Sequence, residues 1–417
     1  MITLGIETSC DETALALIET REVANKSGGF DVECRVIDSL VHSQADLHSA
    51  YGGVYPSLAK REHSKNLIPL LHKLLEATLD PNSPQIILDD AKFAEIFNSF
   101  RTSFGAQNAD MWQSFTGADF LKKIPHIDRI AVTEGPGLEP TLWVGISFAR
   151  ILGALWNVPI VPVNHMEGHI VGSLLSSDAP AGTWQKLKPI DFPALALLIS
   201  GGHTELVDIQ RKHETDTRYS YTILGQTLDD AVGEAFDKVA RLLKLPYPGG
   251  PHISRLSEEA AAMLTPSPLR LPRPMMKSGD LNFSFSGLKT AVLYATRAAT
   301  QADGSMTDEF RRGLAHEFEL AVAETLEYKL RSAIDQIGAR TLIIGGGVSA
   351  NLMLRERFTK IALEYNIPIY LPSRHISGDN ALMIALAGAI DTTKHDDVSG
   401  MLLKADGTKK LGVQNIE

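Results

Sequence analysis

Met1-Ile2-Thr3-Leu4-Gly5-Ile6-Glu7-Thr8-Ser9-Cys10-Asp11-Glu12-Thr13 opens the chain, and Ala194-Leu195-Ala196-Leu197-Leu198-Ile199-Ser200-Gly201-Gly202-His203-Thr204 repeats its pattern roughly 190 residues later. In the first stretch Ile2 to Glu7 reads as a strand, Thr8 to Glu12 as a polar turn and Thr13 to Glu19 as the returning strand. In the second, Ala194 to Ser200 is a buried strand, Gly201-Gly202-His203 the turn and Thr204 to Ile209 the return. Two such units predict a duplicated molecule with one hairpin in each half. Each turn can aim backbone N–H groups at a shared cleft where a polyanion would sit; a purely structural turn is the other reading. The length of 417 residues exceeds what one hydrophobic core serves, so two lobes are expected.

Between and beyond the hairpins, strands alternate with helices, the pattern of an α/β protein whose sheets are flanked by helices. Ser64 to Leu79 is amphipathic through Leu67, Leu71, Leu74 and Leu75. Ile127 to Thr133 is a strand, followed by the Gly135-Pro136-Gly137 turn, a helix from about Thr141 to Trp156 and a strand from Val158 to Val163. Leu228 to Leu243 reads as a helix with Ala231, Ala235, Val239 and Leu242 on one stripe. Phe310 to Ile337 is one long helix or two joined ones. Thr341 to Ile344 is a strand that runs into Gly345-Gly346-Gly347 and a helix from about Ser349 to Tyr365. Ser377 is placed to cap a last helix, Asp379 to Ile390. The polar, aromatic stretch from Asp80 to His126 reads as an insertion with short helices around Phe93–Phe100 and Met111–Lys122.

Composition narrows the function. The formal net charge of -10 argues against a surface that coats nucleic acid, so any RNA must be held by a local basic patch or by a partner. Lys60-Arg61-Glu62-His63-Ser64-Lys65 and the group Arg270, Arg273, Lys277 and Lys289 are the basic clusters; solvated surface is their plainer reading. Two cysteines, Cys10 and Cys34, are too few for a disulfide framework. The acidic, short-stranded N-terminus is unlike a signal or transit peptide, and no apolar run reaches a membrane span. A cytoplasmic protein with no membrane partner is expected.

His165-Met166-Glu167-Gly168-His169 sets two imidazoles at i and i+4, on one face of a helix starting near Asn164, a spacing that lets both reach one ion. The reading as an unliganded pair stands beside it until a third ligand is found. Asp379 is a candidate, or else a charge complementing the helix dipole. A zinc protease is excluded, because HExxH needs its glutamate directly after the first histidine and Met166 stands there. Gly345-Gly346-Gly347, between strand and helix, lets a ligand approach the backbone, but it is neither GxGxxG nor a P-loop. Asp230, Glu234 and Asp237 fall on one stripe of their helix, either a solvated face or a set from which Asp237 binds ligand hydroxyls. Tyr247-Pro248-Gly249-Gly250-Pro251 reads as a turn able to press main chain against a ribose or base.

Taken in order, the opening segment Gly5–Thr13, HMEGH at 165–169, SGGHT at 200–204, GEAFDK at 233–238, YPGGP at 247–251, FSFSGLKT at 283–290, GGGVSAN at 345–351 and Asp379-Asn380 resemble one family, the bacterial-type tRNA threonylcarbamoyladenosine transferases, long mislabelled O-sialoglycoprotein endopeptidases. The resemblance spans roughly Met1–Leu79 and Ile127–Ile390. It implies an α/β, two-lobed actin-like/Hsp70-like ATPase (ASKHA) fold, each lobe a mixed sheet flanked by helices. Residues 1–163 would form the first lobe, with the insertion at about 80–126 and the C-terminal segment 384–417 joining it, and 164–383 the second. It also implies a divalent metal, Fe2+ or Zn2+, on His165, His169 and Asp379, and contacts to threonylcarbamoyl-AMP or ATP from Leu198, Ile199, Ser200, Gly201, Gly202, Asp237, Gly250 and Asn351. The implied activity passes a threonylcarbamoyl group to N6 of adenosine 37 in tRNAs reading ANN codons. Implied partners are tRNA, a threonylcarbamoyl-AMP synthase, a degenerate paralogous subunit in a heterodimer and a small P-loop ATPase. Asp11 and Glu12 are the candidates for the general base.

The chain departs from the family pattern at Asp80–His126 and at Glu22–Cys34, where the second connection reads as extended. Two rivals come from other classes: a non-catalytic scaffold paralogue, which would lack the histidine pair and the GGGVSAN turn, and a small-molecule kinase or carbamoyltransferase of the same fold, of which the histidine pair disfavours the kinase.

Overall fold

The computed structural model describes residues 1–24, 30–78, 86–104, 109–115, 117–175, 182–211, 219–265, 267–302, 304–391 and 397–412. β1 (Ile2–Glu7) and β2 (Glu12–Ala24) form the opening hairpin, with Glu7 opposite Ala14 and Ile2 opposite Glu19. β2 then continues against β3 (Phe30–Ser43), from Glu12 opposite Ser43 to Ala24 opposite Phe30. Most of Glu22–Cys34, expected as an extended connection, is therefore strand; residues 25–29 lie outside the described residues. In the outer part of this ribbon residues 21–24 of β2 are exposed and only Val32, Cys34 and Val36 of β3 reach the core, which hid it from the hydrophobic pattern. Cross-strand ion pairs hold it instead, Arg21 with Glu33 at 2.7 Å and Arg35 with Glu19, and the Arg21 guanidinium stacks 4.0 Å from the Trp184 ring.

After a short α1 (Ala45–Ser49), α2 (Pro56–Thr78) begins two turns before the expected start, its first turns carrying few of the leucines that mark the rest. The insertion folds as β4 (Ile86–Ile87), α3 (Asp90–Phe104), α4 (Ala109–Phe115) and β5 (Lys123–Ile124); its first residues, 80–85, lie outside the described residues. Next come β6 (Arg129–Gly135) and α5 (Glu139–Trp156). The aromatic residues of the insertion build an extension of the core. Phe97 meets Trp112 edge-on at 5.2 Å, Phe115 reaches Phe148 of α5 at 6.1 Å, and the Trp156 indole N–H donates to the Leu121 carbonyl at 3.1 Å.

β7 (Ile160–Asn164), α6 (His165–Gly172) and β8 (Trp184–Lys186) lead into the second hairpin, β9 (Ala194–Ile199) with β10 (Thr204–Arg211), extended by β11 (Tyr219–Gln226). Four helices follow, α7 (Val232–Leu242), α8 (Gly249–Ala262), α9 (Ser286–Ala299) and a single unbroken α10 (Asp308–Ile337). β12 (Thr341–Gly345), α11 (Leu352–Tyr365), β13 (Ile369–Tyr370) and α12 (Ala381–Ile390) complete the elements.

The duplication is visible in the sheets. The first runs β7-β6-β1-β2-β3-β8 and the second β11-β10-β9-β12-β13. In the first, β1–β2–β3 are antiparallel and β6 and β7 add in parallel on the other side of β1. In the second, β9–β10–β11 are antiparallel and β12 and β13 add in parallel beside β9. The two sheets repeat one strand order, β7-β6-β1-β2-β3 matching β13-β12-β9-β10-β11, which is the duplication the repeated hairpin predicts in an α/β chain. One element of the 164–383 stretch, β8, pairs with β3, and α12, most of which lies in the 384–417 segment, packs its apolar residues with those of the first sheet.

Each sheet has its own apolar layers. Leu4, Ile6, Leu15 and Leu17 pack with Leu67, Leu71 and Phe148 in one half; Leu195, Leu197, Val239, Phe236 and Phe318 pack in the other, with Phe236 and Phe318 edge-on at 5.0 Å. The C-terminal segment bridges the halves: Leu403 belongs to the first core and Leu411 to a layer under β9 and β10. Between them the Asp406 N–H donates to the Glu134 carbonyl at 2.9 Å and Lys409 pairs with the Glu134 carboxylate at 2.7 Å. None of the helices among the described residues is long and apolar enough to cross a membrane.

Candidate metal centre in the cleft between the sheets

Two helix starts create the site. The Asn164 side chain caps α6 by accepting the N–H of Met166 at 2.9 Å, which fixes His165 as the first helical residue and His169 one turn on. Asn380, not the expected Ser377, caps α12: it accepts the Met383 N–H at 3.0 Å while its amide donates to the carbonyls of Ile376 and Gly378. Asp379 therefore stands just outside the helix, in the turn that this cap locks, rather than in the first helical turn. Serine and asparagine serve equally well as caps, so the sequence alone could not choose between them.

The convergence that the histidine spacing left open is present. His165 Nε2 lies 3.3 Å and His169 Nε2 3.2 Å from Asp379 Oδ1, the two rings nearly perpendicular with centroids 4.7 Å apart. All three ligand atoms lie within 4.8 Å of one another. Despite the short separation, His169 Nε2 makes no hydrogen bond and is buried. A buried imidazole nitrogen facing a carboxylate and a second imidazole, with no partner of its own, is what a set of metal ligands looks like in protein atoms alone, and the donors fit a divalent ion.

Behind His165 stands a residue that sequence reading missed as part of the site. Glu7, at the end of β1 and fully buried, accepts from His165 Nδ1 at 3.1 Å, from the Thr133 hydroxyl at 2.6 Å and from the Ser9 N–H at 2.5 Å. Fixing Nδ1 in this way presents Nε2 to the ion, as carboxylate–histidine–metal triads do. The available signal was an acid closing an otherwise apolar strand, Ile2-Thr3-Leu4-Gly5-Ile6-Glu7.

The charges are consistent with that role. Burial alone would raise the Glu7 carboxyl, but the facing His165 outweighs it and the net shift is downward. Burial would likewise raise Asp379, and His165 and His169 reverse this, so it stays ionised. Burial opposes a proton on His165, yet the carboxylates of Asp379 and Glu7 carry it well above the usual imidazole range; burial lowers His169. Without an ion, then, His165 is the charged imidazolium at neutral pH and His169 the neutral imidazole. Metal uptake must release that proton, so affinity is expected to rise about tenfold per pH unit below the His165 pKa. Calorimetric titration of Zn2+ in buffers of different ionisation enthalpy measures it as a release of one proton per ion.

The glycine triplet closes over this centre. Gly346 has φ +89, and a Cβ there would come within 2.4 Å of the Ile199 carbonyl; a Cβ on Gly345 would come within 3.1 Å of His169 Cβ. The triplet thus nests between β9 and α6, and Gly347 faces Gly378, the neighbour of Asp379. Leu198 and Ile199 are buried in β9, while Gly201, Gly202 and Gly250 face open space. From the other side come the turn at Ser9–Glu12 and Asp237. Asp237 accepts the Gly249 N–H at 2.7 Å, and its carboxyl is raised by burial and by the nearby charge of Asp11. Glu12 is raised well above the usual range, first by burial and then by Asp11 and Asp379.

Other expectations need revision. Asp230 precedes α7, whose start is delayed because residues 228–230 form a bend, closed by the Thr227 hydroxyl donating to the Asp230 carbonyl at 2.7 Å, and Ala231 is extended, so Asp230, Glu234 and Asp237 share no helical stripe; Asp230 and Glu234 both pair with Lys238, at 2.7 and 2.9 Å. Gly249 and Gly250 begin α8 rather than sitting in a free turn. Asn351 has both ends of its amide engaged, donating to Ser254 Oγ at 2.8 Å and Glu319 Oε1 at 2.5 Å and accepting the Leu354 N–H at 3.0 Å. Arg273 leaves the second basic group: it pairs with Glu317 at 2.5 Å and Glu324 at 2.7 Å and is largely buried.

The matches to known proteins agree with this geometry. The family model for tRNA N6-adenosine threonylcarbamoyltransferase matches residues 35–87 and 118–386, and its gap falls within the stretch read as an insertion. The chain is 37% identical over 404 residues to the tRNA N6-adenosine threonylcarbamoyltransferase of Chromobacterium violaceum, covering 97% of each chain. To that of Methylobacillus flagellatus it is 40% identical over 390 residues, covering 94% of this chain and 92% of the relative. Among solved structures, the activator of 2-hydroxyisocaproyl-CoA dehydratase from Clostridium difficile is a distant likeness, at 12% identity and a TM-score of 0.44 over 94% of this chain and 93% of that one. With relatives of this identity matched almost end to end, the chain belongs to the tRNA N6-adenosine threonylcarbamoyltransferase family.

Proposed function

We propose that this protein transfers the threonylcarbamoyl group from threonylcarbamoyl-AMP to N6 of adenosine 37 in tRNAs reading ANN codons. The observation that carries this reading is the meeting of His165, His169 and Asp379 in the cleft of a family member, with Glu7 holding the first histidine from behind. A degenerate scaffold would have no reason to keep that set, and a sugar kinase would have no use for it.

The adenine amine is a poor nucleophile, so the acyl group must arrive activated as a mixed anhydride. N6 attacks the carbamoyl carbon, the bond from that carbon to the phosphate oxygen breaks, AMP leaves with the electron pair, and N6 loses a proton. Main chain from Leu198 to Gly202, with Gly250 and Asp237, would hold the nucleotide, the Asp237 carboxylate on ribose hydroxyls; Asn351 supports that wall through Ser254 and Glu319. A divalent ion held by His165, His169 and Asp379 would supply positive charge to offset the negative charge that develops as AMP leaves. Glu12, whose carboxyl is raised well above the usual range by burial and by the charges of Asp11 and Asp379, and Asp11 beside it are the candidate acceptors for the N6 proton. Two imidazoles and a carboxylate suit Zn2+ and Fe2+ alike. A threonylcarbamoyl-AMP synthase, a degenerate paralogue and a small P-loop ATPase are the expected partners, in the cytoplasm. The test is reconstitution with synthase, partners and unmodified tRNA, followed by mass analysis of the nucleosides. The reading requires N6-threonylcarbamoyladenosine from the intact protein and its loss with His165→Ala; undiminished product from that variant would overturn the assignment of the centre.

A further inference from the structure

Beside the cleft, two large aromatic side chains contribute nothing to either core. Tyr51 and Tyr55, in the loop between α1 and α2, are 64% and 54% exposed and stack on each other with centroids 5.7 Å apart and an interplanar angle of 22°. Tyrosine, apolar on its ring and polar at its hydroxyl, is enriched where a surface meets a partner, and two stacked rings make one contiguous face.

The loop that carries them is fixed from both halves of the molecule. The Tyr55 N–H donates to His48 Nδ1 at 3.3 Å, and His48 Nε2 bonds Gln44 Oε1 at 3.2 Å. The Gln44 N–H donates to the Asp11 carbonyl at 3.0 Å, and its amide reaches His63 Nδ1 at 3.4 Å. His63 in turn accepts the Thr13 hydroxyl at 2.7 Å and donates through Nε2 to the Cys10 carbonyl at 3.0 Å. Burial pushes His63 down to about 4, so it stays neutral and the relay keeps one set of tautomers. On the opposite side, the Arg241 guanidinium of α7 donates to the Gly52 carbonyl, one turn from Asp237. Gly52, at φ +68, makes the turn that presents this carbonyl. The tyrosine pair is thus tied to the turn bearing Asp11 and Glu12 and to the helix bearing Asp237. Directly after Tyr55, α2 presents Arg61 and Lys65 four residues apart on its exposed side, Lys65 paired with Glu62 at 2.6 Å.

We propose that Tyr51 and Tyr55 form a stacking platform for an unpaired base of the tRNA, one flanking the adenosine delivered to the cleft. This rests on the tRNA reading above. An adenosine whose N6 is to be acylated must be unpaired, and its neighbours in a loop are unpaired with it. Such splayed bases stack on aromatic faces whatever their identity, and basic side chains alongside meet the phosphates. A rigid, pre-positioned pair loses little entropy on binding.

The test compares intact protein with Tyr51→Ala, Tyr55→Ala and the double Tyr→Phe variant in the reconstituted reaction, together with direct binding of an anticodon stem-loop RNA across a salt series. Each alanine variant is expected to raise the KM for tRNA and the Kd for the stem-loop about tenfold. It should leave kcat, the melting temperature and the salt slope unchanged, and the phenylalanine variant should behave as the intact protein. Unchanged KM and Kd in the alanine variants, a fall confined to kcat, or weakened association with a protein partner in place of RNA would overturn the proposal while leaving the tRNA reading intact. An intact protein that modifies no tRNA would remove both.

Discussion

His169→Ala is expected to yield a folded protein that no longer retains a divalent ion and forms product more than about a hundredfold more slowly. The argument rests on the asymmetry between the two histidines. His165 is hydrogen-bonded on its Nδ1 side to Glu7, so its loss strands a buried carboxylate as well as removing a ligand. His169 Nε2 makes no hydrogen bond, and its truncation removes the ligand atom and its 3.2 Å approach to Asp379, whose carboxylate His165 still faces. Stability of the ion-free protein should therefore fall by less than about 2 kcal/mol, the usual range for one trimmed side chain. Loss of one of three ligands exceeds the 10–100-fold effects typical of outer-shell changes. Metal content by mass spectrometry, melting temperature and product formation separate these effects; a variant that keeps its ion or its rate would show that His169 is a packing residue.

Glu7→Gln is expected to weaken metal affinity by about 10–100-fold while the ligands themselves remain. The amide can still accept from His165 Nδ1, so the ring keeps its place, but the negative charge that makes Nε2 a better donor is gone. One amide group also cannot accept from both the Thr133 hydroxyl and the Ser9 N–H as the carboxylate does, and the turn at Ser9 should loosen. The substitution further lowers the proton affinity of His165 in the ion-free state, so proton release on metal uptake should shrink below one per ion. Competition with a chelator gives the affinity; a variant with unaltered affinity would make Glu7 a purely structural acid.

The duplicated hairpin was legible because each copy is a short apolar strand broken by a polar turn, and the two sheets built on them share one order. β3 was not, because its apolar residues, Val32, Cys34, Val36, Ile37 and Leu40, are interspersed with charged and polar ones, and its outer end is paired through Arg21, Arg35, Glu19 and Glu33. The histidine pair could be placed on one helical face from spacing alone, yet spacing says nothing of the third ligand; that Asp379 is the one depends on the Asn380 cap, a tertiary fact. Glu7 escaped notice because in sequence it looks like any acid at a strand end, and its meaning comes from His165, 158 residues away. The stripe of Asp230, Glu234 and Asp237 failed for the converse reason: a periodic pattern was carried back through a bend at residues 228–230 that precedes α7.

The measurement closest to the centre of this account is a crystal structure of the metal-loaded protein with anomalous data collected on both sides of the absorption edge of the loaded ion. A single strong peak about 2.0–2.2 Å from Nε2 of His165, from Nε2 of His169 and from an Asp379 carboxylate oxygen, with Glu7 still on His165 Nδ1, is the predicted result. A peak elsewhere, or none at these three residues in protein that transfers the acyl group at full rate, would contradict it.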